Sequence, residues 1–534
     1  MKNAQNSDAR AQILAQAEQS ISLSKPALAR SLISKLTKSG PLTPNESIHV
    51  SEIYRTLSEN DKAIKILGPE LSPSELLGVS SEFLALQFRL AYMLQFIGVR
   101  FMAKRMFDNL TSEVKRRQLD PLKISPFYWR YMTGLYLGIN DFEKAKDAAM
   151  QAASSLMHDR KEWRGSIICQ AAALFALKER EECESVLLQL MQQSLEQEEL
   201  LRGQIHQRLA DLYLDWEKWP QALQHCQAGE KILKNSTSTD YIFIYRSLGI
   251  YHTLNGDSGS ATTYLNKCQD ISTWSEISPN IKMTVYYWLE RNMGERLPLE
   301  KRLATRGHLA FSPYSYNLGK CYTQRRLPLR LFYDARYDDN DHDCWLIQDE
   351  KIKAAKYSNI IRNYPISDYA LLDLYSGVVS FKKSLAPPLT LTQTQVKCIS
   401  PILGSGEIGM SKWALIDFIY RQDFFNPLNG EERLKNLISN LKKAGFNIRR
   451  EANRYYMKLP KDQITIIPMD HQLRGAHKLF ASISPSFKRG DLEATFGIGS
   501  STAKAWIKNW MELKIIDSHG SGKNIFYRFI SNED

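Results

Sequence analysis

Between Glu431 and Leu459 the chain reads EERLKNLISNLKKAGFNIRREANRYYMKL. Leu434, Leu437, Ile438 and Leu441 recur at helical spacing as an apolar stripe, and Lys435, Asn436, Ser439, Asn440, Lys442 and Lys443 fall on the opposite side. Gly445 is placed to stop that helix. Ile448 to Met457 then reads as a two-stranded ribbon turning near Asn453, carrying Arg449, Arg450 and Arg454 beside Tyr455 and Tyr456. Cations mixed with short amide and hydroxyl groups suit the phosphates and base edges of a duplex groove. A second set of similar type follows. Ser500, Ser501, Thr502, Lys504 and Lys508 lie on the exposed side of a helix whose core stripe is Ile498, Ala503, Trp506, Ile507, Trp510 and Leu513. Lys523, Asn524 and Arg528 belong to the hairpin after it, which turns at Gly520-Ser521-Gly522.

Other constellations are weaker. Asp339, Asp341, Asp343 and Glu350 match positions 1, 3, 5 and 12 of a calcium loop, but Cys344 stands where the bend needs Gly and the flanks read as strands. A solvated hairpin turn is expected there. Gly404-Ser405-Gly406-Glu407-Ile408-Gly409 satisfies GxGxxG but follows a helix, so it reads as a loop and not as a dinucleotide site. GSGK at 520–523 lacks the leading Gly and the following helix of a phosphate loop. His206, His225 and His252 have no metal-ligating companions at useful spacing. No nucleophile–base pair or metal cluster has supporting context, so the chain is expected to be non-catalytic, with no metal and no cofactor.

The charge is unevenly divided. Residues 1–300 hold 35 Lys+Arg and 35 Asp+Glu, whereas residues 301–534 hold 35 and 23, so the whole net charge of +12 lies in the C-terminal part. That asymmetry points to a polyanion-binding half joined to a neutral half with another task. The seven cysteines form no CxxC pair, which argues against a disulfide framework or zinc site and for a reducing compartment. The polar N-terminus and the lack of a long apolar run predict a cytoplasmic protein with no membrane partner.

What positions these groups is mostly helix. From about residue 20 to 300 amphipathic helices come in pairs with a recurring set of offsets. The sets are Ser51, Tyr54, Ser58, Ala63; Ala91, Leu94, Gly98, Ala103; Thr133, Tyr136, Asn140, Ala145; Ala173, Ala176, Arg180, Ser185; Ala210, Tyr213, Glu217, Ala222; and Gly249, His252, Gly256, Ala261. Their last members are 40, 42, 40, 37 and 39 residues apart, the period of a stacked helical-hairpin solenoid. Small residues at the ends of each set let the paired helices approach, and the larger residue between them fills the gap to the next pair. With Trp129 ahead of the third set, the pattern resembles the tetratricopeptide repeat (TPR), although the period is longer and most units lack the closing Pro. The resemblance implies a surface for a protein or peptide partner, or for self-assembly as a homodimer.

After residue 300, LPLRLFYDAR and CWLIQDEKI each read as a strand, and YALLDLYSGVVSFKKS reads as another strand followed by a turn. Then come a helix capped by Thr392, a second at MSKWALIDFIYRQ, a loop at DFFNPLNG, and the helix and ribbon described first. This order, with Ile438-Ser439-Asn440-Leu441-Lys442-Lys443, Ile448-Arg449 and Tyr456, resembles the winged helix-turn-helix of OmpR/PhoB-type regulators. The resemblance implies that Lys435, Ser439, Asn440 and Lys442 face bases or phosphates and that Arg449, Arg450 and Arg454 reach backbone or minor groove. Asn440 stands in place of an Arg, Asn453 and Tyr455 replace wing glycines, and no receiver domain precedes the module. Control is therefore expected from a partner of the repeats and not from aspartyl phosphate. Asp491 to Ile516 resembles a generic bacterial winged helix, preceded by a helix at MDHQLRGAHKLFASI and joined to the first module through Pro460 to Thr465.

The expected fold is mainly α with a smaller α+β part: a TPR-like solenoid followed by tandem winged helices. The expected divisions are 1–300 (repeats), 301–365 (strand-rich connector), 366–460 (OmpR/PhoB-like module) and 461–534 (second winged helix). The expected function is sequence-specific binding of double-stranded DNA in transcriptional regulation. The alternative is a non-catalytic scaffold subunit resembling PCI-domain proteins, with the winged helices contacting protein.

Overall fold

The structure is a computed structural model. It describes residues 2–302 apart from 23–24, 58, 98, 139–140, 197, 234–239, 272–278 and 300, and then 344–348, 351–355, 360, 371–374, 377–380, 389–420, 423–451, 453–458, 463–468, 486–496, 500–512, 516–520 and 525–529. Packing divides the chain into two units, one formed by 1–277 with 411–440 and the other by 278–410 with 441–534. The fold is mainly α, with small sheets confined to the second unit and its margin.

Among the described residues the first unit holds a solenoid of seven helical hairpins. They are α1 (Lys2–Ser22) with α2 (Pro26–Lys38), α3 (Pro44–Thr56) with α4 (Asn60–Leu67), α5 (Ser81–Phe96) with α6 (Arg100–Arg116), and α7 (Tyr128–Gly138) with α8 (Phe142–Ser155). The remaining three are α9 (Arg160–Leu177) with α10 (Arg180–Gln193), α11 (Glu199–Asp215) with α12 (Trp219–Leu233), and α13 (Asp240–Leu254) with α14 (Ser258–Asp270). Successive first helices touch along α1, α3, α5, α7 and α9, and again from α11 to α13, as stacking requires.

The turns explain the recurring offsets. In each hairpin from α3/α4 to α13/α14 the carbonyl of the second set member accepts an N–H five residues on: Glu59 to Tyr54, Val99 to Leu94, Asp141 to Tyr136, Glu179 to Leu174, Lys218 to Tyr213 and Asp257 to His252. This is the long bond of a helix C-terminal motif, and it needs a left-handed residue in the turn. Lys178 (φ 69°), Glu217 (φ 60°) and Gly256 (φ 80°) supply it.

One set is read two residues too late in the sequence. In the α9/α10 hairpin Ala171, Leu174 and Cys183 hold the set positions; Ala173 and Ala176 are buried as well, but Ser185 is exposed. The Cys183 thiol donates to the Ala171 carbonyl at 3.3 Å. The misreading arises because a buried cysteine behaves as a small apolar residue and so hides from a search for Ala and Ser. With Cys183 in place, the steps from Ala145 through Cys183 and Ala222 to Ala261 are 38, 39 and 39 residues, which is more regular than the sequence reading.

The second unit holds α15 (Pro279–Met293) and a six-stranded sheet. Its strands are β1 (Cys344–Gln348), β2 (Lys351–Ala355), β3 (Leu371–Asp373), β4 (Val378–Ser380) and β5 (Leu389–Thr390), with a sixth from further along the chain. CWLIQDEKI thus belongs to a hairpin where a single strand is expected, and the region after Tyr369, expected as a strand followed by a turn, also pairs back as a second strand. The sixth strand, Ile464–Pro468, lies inside the sheet, antiparallel to β1 and parallel to β3. Ile464 and Thr465, the last residues of the expected join at Pro460 to Thr465, thus open an interior strand. Its composition is the physical reason: Ile464, Thr465, Ile466 and Ile467 are all buried, so neither face is left for solvent.

Beyond β5 come α16 (Gln393–Gly404), β6 (Met410–Ser411), α17 (Lys412–Tyr420), α18 (Pro427–Lys443), β7 (Ile448–Glu451) and β8 (Arg454–Met457), after which Ile464–Pro468 counts as β9. Thr392 caps α16 with a reciprocal bond to Gln395. α18 starts before the expected loop ends, because Asn426 accepts from the amides of Leu428 and Asn429 and Pro427 occupies the first turn. The chain ends with β10 (Ser486–Phe487), α19 (Arg489–Phe496), α20 (Ser500–Glu512), β11 (Ile516–His519) and β12 (Phe526–Phe529), the strands forming a sheet in the order β10-β12-β11. The strand expected at LPLRLFYDAR, the acidic turn 338–343 and the helix at MDHQLRGAHKLFASI lie outside the described residues.

Candidate nucleic-acid interface

α18 is amphipathic as its spacing predicts. Leu434, Ile438 and Leu441 are buried, and Lys435, Asn436, Ser439, Asn440, Lys442 and Lys443 are exposed. Gly445 (φ 95°) ends the helix. β7 and β8 then pair antiparallel in the register Ile448↔Met457, Arg449↔Tyr456, Arg450↔Tyr455 and Glu451↔Arg454, with Asn453 (φ 65°) in a two-residue loop. Ile448, Tyr455 and Met457 are buried, whereas Arg449 and Arg450 are exposed, Arg450 with its guanidinium carbon 5.9 Å from the Tyr455 ring centre. Lys442, Phe446, Asn447, Arg449 and Arg450 line a shallow open cleft between the helix end and the hairpin. Arg450 donates to Asn453 Oδ1 at 2.7 Å, and Arg449 lies 3.6 Å from Glu451. Such exposed contacts are weak and yield readily to a phosphate. Lys442 and Lys443 also oppose the negative end of the helix dipole, a structural role that Arg449 and Arg450 do not share.

Arg454 departs from expectation. Its guanidinium donates to the carbonyls of Ile408 and Gly409 at 3.3 and 3.2 Å, and burial pushes its pKa down. It is spent inside the unit, on the segment carrying GxGxxG. That motif is a loop: Gly406–Ile408 form a single 3-10 turn and Gly409 (φ 66°) lies against the Tyr456 ring, where any Cβ would meet ring carbon at 2.4 Å. The glycine makes room for an aromatic side chain, not for a phosphate.

In the later set, Ser500, Ser501, Lys504 and Lys508 are exposed on α20, opposite buried Ala503 and Ile507. Arg528 is exposed on β12 directly across from Asp517. Lys523, Asn524 and the side chain of Thr502 lie outside the described residues. Among the described residues no group of three or more His, Cys, Asp and Glu could hold a metal ion, and no helix is long and apolar enough to cross a membrane. His206 and His225 form a ring pair at 2.8 Å within the repeats, and burial lowers the pKa of His206 to about 4.

The sequence reading passes over a polar cluster within the first unit. Lys412 and Asp417 sit on α17, where every residue but Ala414 and Tyr420 is buried. Lys412 Nζ donates to Asp61 Oδ2 at 2.6 Å and to Glu431, and Trp413 Nε1 donates to Asp61 Oδ1 at 2.6 Å. Lys65 reaches Glu431 at 2.7 Å. Asp417 accepts from the amides of Phe101 and Met102 at 3.1 and 3.0 Å. Glu70 and Phe425 exchange two bonds of 2.8 Å, and Arg105 donates to Glu70 and to the Asp423 carbonyl. A signal was present in the sequence: α17 has no polar face, yet it carries two ions, and a buried ion requires a partner.

No family model and no curated protein matches the chain. Among solved structures it is similar to a Rap protein complexed with Competence and Sporulation Factor, at TM-score 0.42 and 11% identity over 62% of this chain and 97% of that one. It is also similar to the apo form of RapI, at TM-score 0.35 and 13% identity over 62% and 97%. Neither likeness assigns a partner or an activity to this chain.

Proposed function

We propose that the chain is a sequence-specific DNA-binding regulator of transcription that reads duplex DNA through α18 and the β7–β8 hairpin. In this reading 366–460 is a winged helix of the OmpR/PhoB type and 461–534 a second winged module. The repeats of 1–300 sense or recruit a protein or peptide partner, or assemble two copies of the chain. The observation that carries the reading is the continuous exposed row Lys435, Asn436, Ser439, Asn440, Lys442 and Lys443, ending beside a cleft edged by Arg449 and Arg450. Amide and hydroxyl groups interleaved with cations supply base-edge contacts as well as phosphate contacts, which a merely solvated basic face does not need. The order of small sheet, three helices and hairpin supports the same assignment. The second module adds affinity through effective concentration if both modules reach one duplex.

Selection of bound fragments from a random duplex library by the full-length chain, at a fixed near-physiological salt, tests this. Enrichment of a common sequence is the expected result, and paired half-sites would indicate a dimer. Recovery of unselected sequences, with the chain instead co-purifying in a stable protein complex, would favour the scaffold role and overturn the proposal.

A further inference from the structure

We propose that α17 and the first turns of α18 are an integral layer of the repeat array, so that the state of α4 and α6 is transmitted along α18. Three separate observations within the first unit carry this. The N-cap of α6 is Val99, which has no side-chain acceptor, and the first amides of the helix are satisfied by the Asp417 carboxylate, which is 4% exposed. A helix N-terminus with a carboxylate on two of its free N–H groups is both hydrogen-bonded and matched to its dipole. Lys412, 2% exposed, is paired with Asp61 of α4 on one side and Glu431 of α18 on the other, while Lys65 of α4 shares Glu431. Arg105 of α6 ties Glu70 to the Asp423 carbonyl, and the Glu70 amide donates to the Phe425 carbonyl while the Phe425 amide donates to the Glu70 carboxylate. Lys412, Asp417 and Glu70 are buried, each with a partner supplied by the other element, and losing one partner of a buried pair is far more costly than losing an exposed one.

The seating does not cover the cationic row, since Lys435, Asn436, Ser439 and Asn440 remain exposed. It therefore positions α18 and does not occlude it. Consequences for DNA rest on the function proposed above; the seating itself does not.

Hydrogen exchange on the full-length chain separates the two. In the wild type the α17 amides and those of Phe101 and Met102 should open together with α6. Asp417→Ala should speed exchange at Phe101, Met102 and 412–420 by roughly tenfold or more, and Lys412→Met should do the same over 412–431, while α11 to α14 keep wild-type rates. If Asp417→Ala fails to fold, Asp417→Asn, which retains one acceptor oxygen, should expose one of the two amides. Both variants should also weaken duplex binding severalfold, although neither residue belongs to the exposed row. Fast exchange of α17 in a wild type whose α6 stays protected, or unchanged protection of Phe101 and Met102 in the Asp417 variants, overturns the inference. A wild type that binds no duplex refutes the proposed function and leaves the exchange result to decide the seating.

Discussion

Neutralising both hairpin arginines gives the sharpest test of the proposed interface. Lys435, Lys442, Lys443, Arg449 and Arg450 are five exposed cations of α18 and the hairpin that can each meet one phosphate, whereas exposed Arg433 is paired with Asp423. At a slope of about −0.9 per phosphate, five contacts give a log–log salt slope near −4.5, so affinity should fall roughly 500-fold between ~50 and ~200 mM salt. Arg449→Ala with Arg450→Ala should bring the slope to about −2.7 and the loss to roughly 40-fold over the same range. These arginines now make a 3.6 Å ion pair, one bond to Asn453 and a 5.9 Å approach of Arg450 to the Tyr455 ring centre, all from exposed guanidinium groups, so folding stability should change little. Fluorescence anisotropy with a labelled duplex at four or five salt concentrations, alongside thermal melts, supplies both quantities. An unchanged slope in the double variant would refute the placement of the hairpin on DNA, and a slope near zero in the wild type would refute an electrostatic interface altogether.

Other perturbations distinguish structural groups from binding groups. Arg454→Ala should lower the melting temperature and leave the salt slope unchanged, because its guanidinium is bound to the Ile408 and Gly409 carbonyls; a slope reduced by about 0.9 would return it to the interface. Gly249→Ala should destabilise the array by roughly 1–3 kcal/mol in denaturant titration, since its Cβ would stand 2.5 Å from the branch carbon of Leu265; an unaltered midpoint would show that α13 and α14 can separate freely. Burial alone would raise the pKa of Glu431, but Lys412 and Lys65 hold it at about 2, below its ordinary value of 4.5. Its contribution, on the order of 3 kcal/mol, is complete above that ordinary value and is lost as pH falls toward 2. Acid titration of α17 exchange should show this loss in the wild type and not in Glu431→Gln. His206 has the same sign: its pKa is depressed, so the array should lose stability as pH falls from about 6.5 toward 4, and His206→Asn should flatten that slope in thermal melts.

The amino-acid sequence by itself determined the helical repeat, the amphipathic division of α18, its stop at Gly445 and the hairpin turn at Asn453. These are local matters: a 3.6-residue period, a left-handed turn residue and an alternating ribbon all act within a few positions. The exposure of Lys435, Asn436, Ser439, Asn440, Lys442, Lys443 and Arg449 follows from the same periodicities, whereas that of Arg450, on the face of buried Ile448, does not. Only the tertiary structure decided the fates of groups whose partners are remote in the chain. Arg454 looks like its neighbours in sequence and differs because the carbonyls that bind it lie some 45 residues earlier. Ile464 and Thr465 look like the end of a linker, and 466–468 like the start of the next module, until β1 and β3 are placed on either side of them. Asp417 reads as one acid in an apolar helix, and it becomes a helix cap because Phe101 and Met102, over 300 residues away, present amides that no nearby side chain can satisfy. Periodicity reports which face of an element is buried, but it carries no information about which distant element does the burying.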